Sequence, residues 1–162
     1  MKKSIASLVM LLFGISILSC QHEQRDIINE TFPEGQAKIE KLLDEIFTSG
    51  QKKDLERLAL YHLYGPKFTE FKGGRARQDA EAGKQNERET FSAISDFKYN
   101  LRDLKVNVFG EVAIATFHGE FGGKAGQDTL AFKLQSTMVF VKDADSWKIA
   151  HEHFSPLNQS EL

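Results

Sequence analysis

The sequence lacks the features that mark disulfide-stabilised, nucleic-acid-binding and membrane-spanning proteins. Its single cysteine, Cys20, cannot form a disulfide within the chain. A formal charge of −2 at pH 7 provides no basic surplus for phosphate backbones, so we expect no nucleic-acid partner. The apolar run at residues 5–18 is too short to span a bilayer. With 41% hydrophobic and 27% charged residues, the chain as a whole is typical of one globular domain stabilised by its core.

The N-terminus has the pattern of an export signal. Lys2 and Lys3 precede the apolar run at residues 5–18, which has the length of a signal-peptide core. The run ends in Ile-Leu-Ser-Cys at residues 17–20, which resembles the lipobox of bacterial lipoproteins. That resemblance implies cleavage before Cys20, a lipid on its thiol, and an exported protein anchored on the periplasmic or outer-membrane side. An ordinary cleaved signal peptide is the alternative.

Hydrophobic spacing predicts helices in the first half of the domain and strands in the second. Helices are predicted over residues 34–49, 53–63 and 79–94, the last of them mostly exposed. A short extended segment is predicted at 68–71. Strands of period two are predicted over 97–109, 112–121, 130–142 and 147–154. This order favours an α+β fold with an antiparallel sheet over alternating βαβ units.

Two histidines near the C-terminus suggest a site. His151 and His153 are spaced by one residue and therefore share one face of a strand. If residues 143–146 form a hairpin loop, His151 lies opposite Met138 and His153 opposite Ser136. This face would be apolar with a polar end, and the first helix would cover it to form a small-molecule pocket. A closed core with hydrogen-bonded histidines is the alternative.

The predicted ligand cavity combines this strand face with aromatic side chains from the helical half. Its residues are Tyr64, Phe68, Phe71, Phe132, Leu134, Ser136, Met138, Phe140, Ile149, His151 and His153. His62 is expected to be solvent-exposed, and Glu152 is expected on the opposite face from the two histidines. The sequence carries no recognisable cofactor motif, so we expect no cofactor.

Three segments resemble the SnoaL-like and nuclear transport factor 2-like superfamily. They are GEVAIATF at 110–117, STMVFVK at 136–142 and WKIAHEHFSPL at 147–157. The similarity is nearest to the branch of the calcium/calmodulin-dependent protein kinase association domain. It implies a cone-shaped α+β fold in which a curved sheet wraps a long N-terminal helix around an open cavity. Members include isomerases, cyclases, dehydratases and oligomerisation domains, so the fold alone selects no function.

The two resemblances also suggest how the chain is divided into segments. We expect a signal peptide at 1–19, a lipidated N-terminus and tether at 20–32, a SnoaL-like domain at 33–157 and a tail at 158–162. In the kinase association domain, an arginine that can hold a carboxylate typically stands where this sequence has Met138. We therefore do not transfer anionic-ligand binding.

Binding of a small, partly apolar molecule is the function we expect, with two alternatives. The paired histidines could act as acid and base, with Tyr64 or Tyr99 donating a hydrogen bond to a developing enolate. They could also hold zinc together with His118 or Glu70, but no third ligand is clear, and we predict no metal site.

The second alternative is a protein-interaction module. The opposite sheet face is expected to present an apolar surface to a second copy of the chain, and we predict a homodimer. That surface would consist of Ala131, Val139, Val141, Ala150 and Phe154.

Overall fold

The computed structural model describes residues 26–157. The predicted signal peptide, the lipidation site Cys20 and the C-terminal tail lie outside these residues. The helices are α1 (Pro33–Gln51), α2 (Leu55–Leu60) and α3 (Ala80–Ala93). The strands are β1 (Thr69–Lys72), β2 (Ser95–Phe109), β3 (Val112–Ala125), β4 (Asp128–Asp143) and β5 (Ser146–Pro156). Across residues 26–157, no helix has the length and hydropathy to cross a membrane.

The five strands form one curved, unclosed sheet in the order β1-β5-β4-β3-β2. Strands β2 to β5 follow one another as antiparallel hairpins, and β1 adds to the edge of β5 in parallel. The helices precede most of the sheet in sequence and pack on its concave face. The predicted α+β fold is confirmed.

Helix α1 begins with a proline in its first turn, where a missing N–H costs no helical hydrogen bond. Ile39, Leu43, Ile46 and Phe47 recur on one side and are buried against the sheet. Burying each of these side chains contributes roughly 1.5–3 kcal/mol. The side chain of Gln36 also donates a hydrogen bond to the backbone carbonyl of Val106 in β2. The helix is therefore fixed over the sheet by both packing and hydrogen bonding.

The hairpin turns contain two residues each, which leaves the strands long. Gly110 and Gly126 adopt positive φ angles of 67° and 62° in the first two turns, a conformation that glycine accepts without strain. The predicted strands at 112–121 and 130–142 are too short where they meet, because β3 continues to Ala125 and β4 begins at Asp128. Gly123 lies within β3, and a side chain does not fit there because a Cβ would lie 2.5 Å from a methyl carbon of Ile94.

A β-bulge at Ala150 changes which residues of β5 face the concave side. Ile149 pairs with Phe140, as the predicted register requires, but the next residue of β4, Val139, pairs with His151. One extra residue on β5 therefore reverses the inward and outward alternation beyond this point.

The predicted register is consequently wrong after Ile149. Met138 lies opposite Glu152, and Ser136 lies opposite Phe154. Glu152 is buried, whereas His153 is exposed. Phe154, which was predicted on the outer face, packs against the core on the concave side.

Candidate functional site

A cavity of about 120 Å³ lies between the concave sheet face, α1 and α3. Phenylalanines are the largest group of side chains in its wall: Phe47, Phe91, Phe97, Phe121, Phe132 and Phe154. Aliphatic contributions come from Ile46, Ile94, Leu134 and Met138. The polar side chains at the wall are Glu70, Lys72, Glu87, Thr90 and Glu152. An apolar body and a polar end thus meet in one small space.

Part of the predicted cavity face is in place. Phe132, Leu134 and Met138 line the cavity. Ser136 is buried on the same side of the sheet. Phe140 and Ile149 are completely buried in the core and do not reach the cavity wall.

The aromatic residues predicted to line the cavity from the first half of the domain do not form its wall. Phe68 is buried behind the cavity wall. The ring of Tyr64 packs edge-on against Phe68, 5.0 Å between centroids. Phe71 does not line the cavity as predicted, because it lies on the outer face and is 41% exposed. The reason is the alternation along β1, which turns Glu70 inward and Phe71 outward.

His151 and His153 lie on the outer face and do not line the cavity, so their predicted position is wrong. Nδ1 of His151 is 2.8 Å from Oγ1 of Thr69. The ring of Phe71 packs edge-on against both imidazoles, with centroid distances of 5.9 and 6.1 Å. The bulge at Ala150 causes this placement. Any acid–base role for these histidines in the cavity is thereby removed.

The residues considered as zinc ligands lie on opposite faces of the sheet. Glu70 faces the concave side and is buried, while His118 shares an outer-face depression with His153. Within residues 26–157, no group of three or more histidine, cysteine, aspartate or glutamate side chains is arranged to hold a metal ion.

The concave side instead carries a histidine that was predicted to be exposed. The side chain of His62 is 0% exposed, and its Nε2 lies 3.4 Å from Oε1 of Glu87 and 3.5 Å from Oε2 of Glu152. Nδ1 lies 3.1 Å from the carbonyl oxygen of Leu58, to which it donates a hydrogen bond. Tyr64 stacks on the imidazole at a centroid distance of 4.7 Å.

The charges in this cluster alter the proton affinities of its members. Burial opposes protonation of the imidazole, but the carboxylates of Glu152 and Glu87 outweigh it and raise the pKa of His62 to about 9. Burial also raises the pKa of Glu87 to about 7, although the positive charge of His62 acts in the opposite direction. The hydroxyl of Tyr64 donates to Oε2 of Glu87 at 2.9 Å. Burial and the charge of Glu87 raise the pKa of Tyr64.

Glu70 is the least satisfied carboxyl group of the site. It is 3% exposed, and its Oε2 has no hydrogen-bond partner within residues 26–157. Its Oε1 lies 3.9 Å from Nζ of Lys72, a loose ion pair. Burial raises the pKa of this carboxyl against the lowering effect of Lys72. A buried acceptor without a donor is costly, commonly by about 1–3 kcal/mol.

Gly83 on α3 allows the helix to approach this group. A Cβ at position 83 would lie 2.7 Å from Cε1 of Phe68 and 3.4 Å from Oε2 of Glu70. Only a residue without a side chain fits at this distance. The glycine therefore sets the spacing between α3 and β1, and with it the position of the carboxyl group.

The sequence contains two signals for the missed residues. On α3, Phe91 faces the cavity, and steps of four residues back along the helix reach Glu87 and Gly83. On β5, the apolar residues change from odd to even positions between Ile149 and Phe154, which is the mark of an extra residue in between. The first signal places Glu87 at the cavity, and the second places Glu152 on the concave face of the sheet. No comparable pattern singles out His62.

Comparison with known proteins identifies the family model that matches this chain. Residues 39–159 match the model of the SnoaL-like domain. No curated protein matches the chain significantly.

Solved structures share the fold at low sequence identity. A candidate dehydratase of the nuclear transport factor 2-like family from Streptomyces avermitilis is 17% identical, with a TM-score of 0.71 over 78% of this chain and 99% of that chain. A nuclear transport factor 2-like superfamily protein from Salmonella enterica serovar Typhimurium is 18% identical, with a TM-score of 0.70 over 80% and 96%.

A candidate calcium/calmodulin-dependent kinase II association domain from Exiguobacterium sibiricum has a TM-score of 0.66 at 17% identity, over 80% of this chain and 97% of that chain. Its likeness is no greater than that of the other two, so the predicted kinase-association branch stays a prediction. The family model covers most of the chain, and the protein therefore belongs to the SnoaL-like domain family.

Proposed function

We propose that this protein binds a small, partly apolar molecule in the cavity between α1, α3 and the sheet. One observation carries the proposal: an aromatic cavity meets Glu70, a buried carboxyl group with an unpartnered oxygen. Ligand sites combine an apolar wall with a few convergent polar groups in this way. A bound molecule would supply the partner that the carboxyl group lacks.

The size of the cavity limits the ligand. Its volume of about 120 Å³ is slightly below the roughly 150 Å³ of an engineered apolar cavity that holds benzene. We therefore expect a body of one six-membered ring or a short branched chain. Phe132 is 39% exposed, and the side chain of Lys72 is 30% exposed. A larger ligand would extend past these two residues into solvent.

Native mass spectrometry of the protein purified without residues 1–20 tests the binding proposal. We expect an organic adduct on the wild-type chain and its loss in Leu134→Trp, because the indole would fill the cavity. Leu104→Trp is the matched control, since Leu104 is exposed on β2 and does not line the cavity. Adducts that persist in Leu134→Trp, or a wild-type chain without adducts after incubation with a library of compounds of this size, would contradict the proposal.

Acid–base catalysis is a second candidate, supported by the pKa of Glu87 near 7. A general base works best when its pKa lies near the working pH. Glu87 lines the cavity and is held by Tyr64 and His62, so it can exchange a proton with a bound molecule. With a ligand identified, Glu87→Gln should retain binding and lose turnover. Turnover that persists in this variant would remove Glu87 as the base.

We also propose that the chain is exported and anchored through a lipid on Cys20. The basic N-terminus, the apolar run and the Ile-Leu-Ser-Cys segment support this proposal. Labelled fatty acid should be incorporated into the wild-type protein, which should sediment with membranes, whereas Cys20→Ser should be unlabelled and absent from them. Equal membrane association of both forms would argue against the anchor.

We also propose that the chain forms a homodimer through the outer face of the sheet. Val112 pairs with Val141 and Ile114 with Val139, so four branched apolar residues form one patch. Val112 is 39% exposed. Sedimentation velocity should show a dimer that Val141→Glu dissociates. Leu104→Glu, at an exposed position on β2, is the control and should leave the dimer intact. A monomeric wild-type protein would contradict this proposal.

A further inference from the structure

We propose that the ligand of this cavity is a small amine whose cationic nitrogen binds Glu70 while its apolar body packs among the phenylalanines. This inference rests on the proposed binding function and adds the chemical class of the ligand. It depends on which charges in the site are already paired and on what the cavity wall offers to a cation.

The charge balance leaves Glu70 as the acceptor for a ligand. Glu87 and Glu152 both lie within 3.5 Å of Nε2 of His62, and Glu87 accepts a further hydrogen bond from Tyr64. Glu70 has only the loose contact of 3.9 Å to Lys72. Among the side chains that are buried or line the cavity here, three acids face the two bases His62 and Lys72, and Arg75 affects Glu70 less than Lys72 does. An added cation therefore meets an excess of carboxyl groups.

The geometry of Glu70 allows it to turn toward a ligand. Its side chain lines the cavity, and Oε2 has no partner within the described chain. The terminal torsion of a glutamate is soft, so either oxygen can be presented to the cavity without leaving a rotamer minimum. An ammonium donor placed against Glu70 would form a charge-assisted hydrogen bond, the stronger kind of hydrogen bond.

The wall of the cavity suits a cation better than an anion. Nζ of Lys72 lies 5.9 Å from the centre of the Phe154 ring, while the same atom approaches Glu70. The protein's own ammonium group thus shows the combination of carboxylate and aromatic face that an amine would use. A carboxylate ligand would add a negative charge beside Glu70, Glu87 and Glu152, which is unfavourable.

Four probes with the same phenyl group separate the possible ligand classes. They are 2-phenylethylamine, 2-phenylethanol, 3-phenylpropionate and ethylbenzene, titrated into the chain by calorimetry and by ligand-observed NMR. We expect the amine to bind at least about tenfold more tightly than the alcohol, since hydrogen bonds to charged groups are the strong ones. We expect the carboxylate to bind most weakly.

Two variants test the role of the carboxylate in opposite directions. Glu70→Gln should reduce affinity for the amine about tenfold or more and change affinity for the alcohol much less. Glu120→Gln, which removes one carboxylate from a position ion-paired to Arg102 and Lys133, is the matched control and should bind the amine as the wild type does. Lys72→Met removes the competing cation, so it should increase affinity for the amine. A misfolded variant could not produce this increase in affinity.

The outcomes distinguish the two proposals. Tighter binding of the amine, together with the opposite effects of Glu70→Gln and Lys72→Met, would establish the inference. If ethylbenzene or the alcohol binds as tightly as the amine, the inference is overturned while the binding function stands. If the carboxylate binds most tightly, the assigned charge preference is wrong. If none of the four probes binds, both proposals fail.

Discussion

Removing the proton of His62 should reduce the stability of the folded protein by about 3 kcal/mol. The pKa of His62 is about 9 in the folded chain, against a value near 6.5 in an unfolded chain. Because the folded state binds the proton more tightly, this stabilisation is fully present below about pH 6.5 and is lost as the pH rises through about 9. At about 1.4 kcal/mol per pKa unit, the difference gives the stated magnitude.

The structure explains why the neutral imidazole is unfavourable. Nδ1 donates to the carbonyl of Leu58, so the proton that leaves is the one on Nε2. The lone pair left on Nε2 would then face the carboxylates of Glu87 and Glu152 at 3.4 and 3.5 Å. The side chain is 0% exposed, so solvent screens this repulsion poorly.

Urea unfolding over a pH series provides the measurement. The free energy of unfolding should fall by about 3 kcal/mol between about pH 6.5 and pH 9.5 in the wild type. It should change much less in His62→Gln, which has no proton to lose. His118→Gln on the outer face is the control and should keep the wild-type slope. A loss below about 1 kcal/mol in the wild type, or an unchanged slope in His62→Gln, would refute the reasoning.

Three further perturbations test the same site. Glu152→Gln should lower the pKa of His62, measured by NMR titration of the imidazole, because it removes the larger of the two raising charges. An unchanged pKa would assign the shift elsewhere. Gly83→Ala should destabilise the protein by about 1–3 kcal/mol in chemical unfolding, since the clash with Phe68 outweighs the helical preference for alanine of about 1 kcal/mol. A stabilised variant would mean that the ring moves aside. Deleting Ala150 should keep the fold and the raised pKa of His62, because Val139 can still pair with His151 in a regular ladder. A pKa near 6.5 for His62 in that variant would show that the bulge does more than set which residues of β5 pair with β4.

The fold was predictable because the hydrophobic periods of this sequence are local and strong. The spacing of Ile39, Leu43, Ile46 and Phe47 predicts α1, and it is also the face that the sheet buries. The change to period two after residue 95 predicts the strands. These patterns depend on neighbours in sequence, so they can be recognised without knowledge of the tertiary contacts.

The site was less predictable because it depends on one register shift and on contacts between distant segments. Simple alternation fails at Ala150, and with it the inward position of His151. Glu70, Glu87 and His62 come together from β1, α3 and the segment after α2, and the pattern around His62 does not foretell burial. Burying such groups is unfavourable alone and becomes possible only when the partners are present.

The bulge at Ala150 also decides which of two sets of side chains on β5 lines the cavity. The distal half of β5 holds histidines at 151 and 153 and an acid and an aromatic residue at 152 and 154. The bulge directs the acid and the aromatic residue inward, whereas the continuous register would direct both histidines inward. One strand thus carries two alternative cavity linings, and the one that faces inward depends on whether Ala150 bulges out or takes its place in the ladder. Loss of the bulge with Ala150 retained would exchange both lining residues together, whereas point substitutions would need two separate changes.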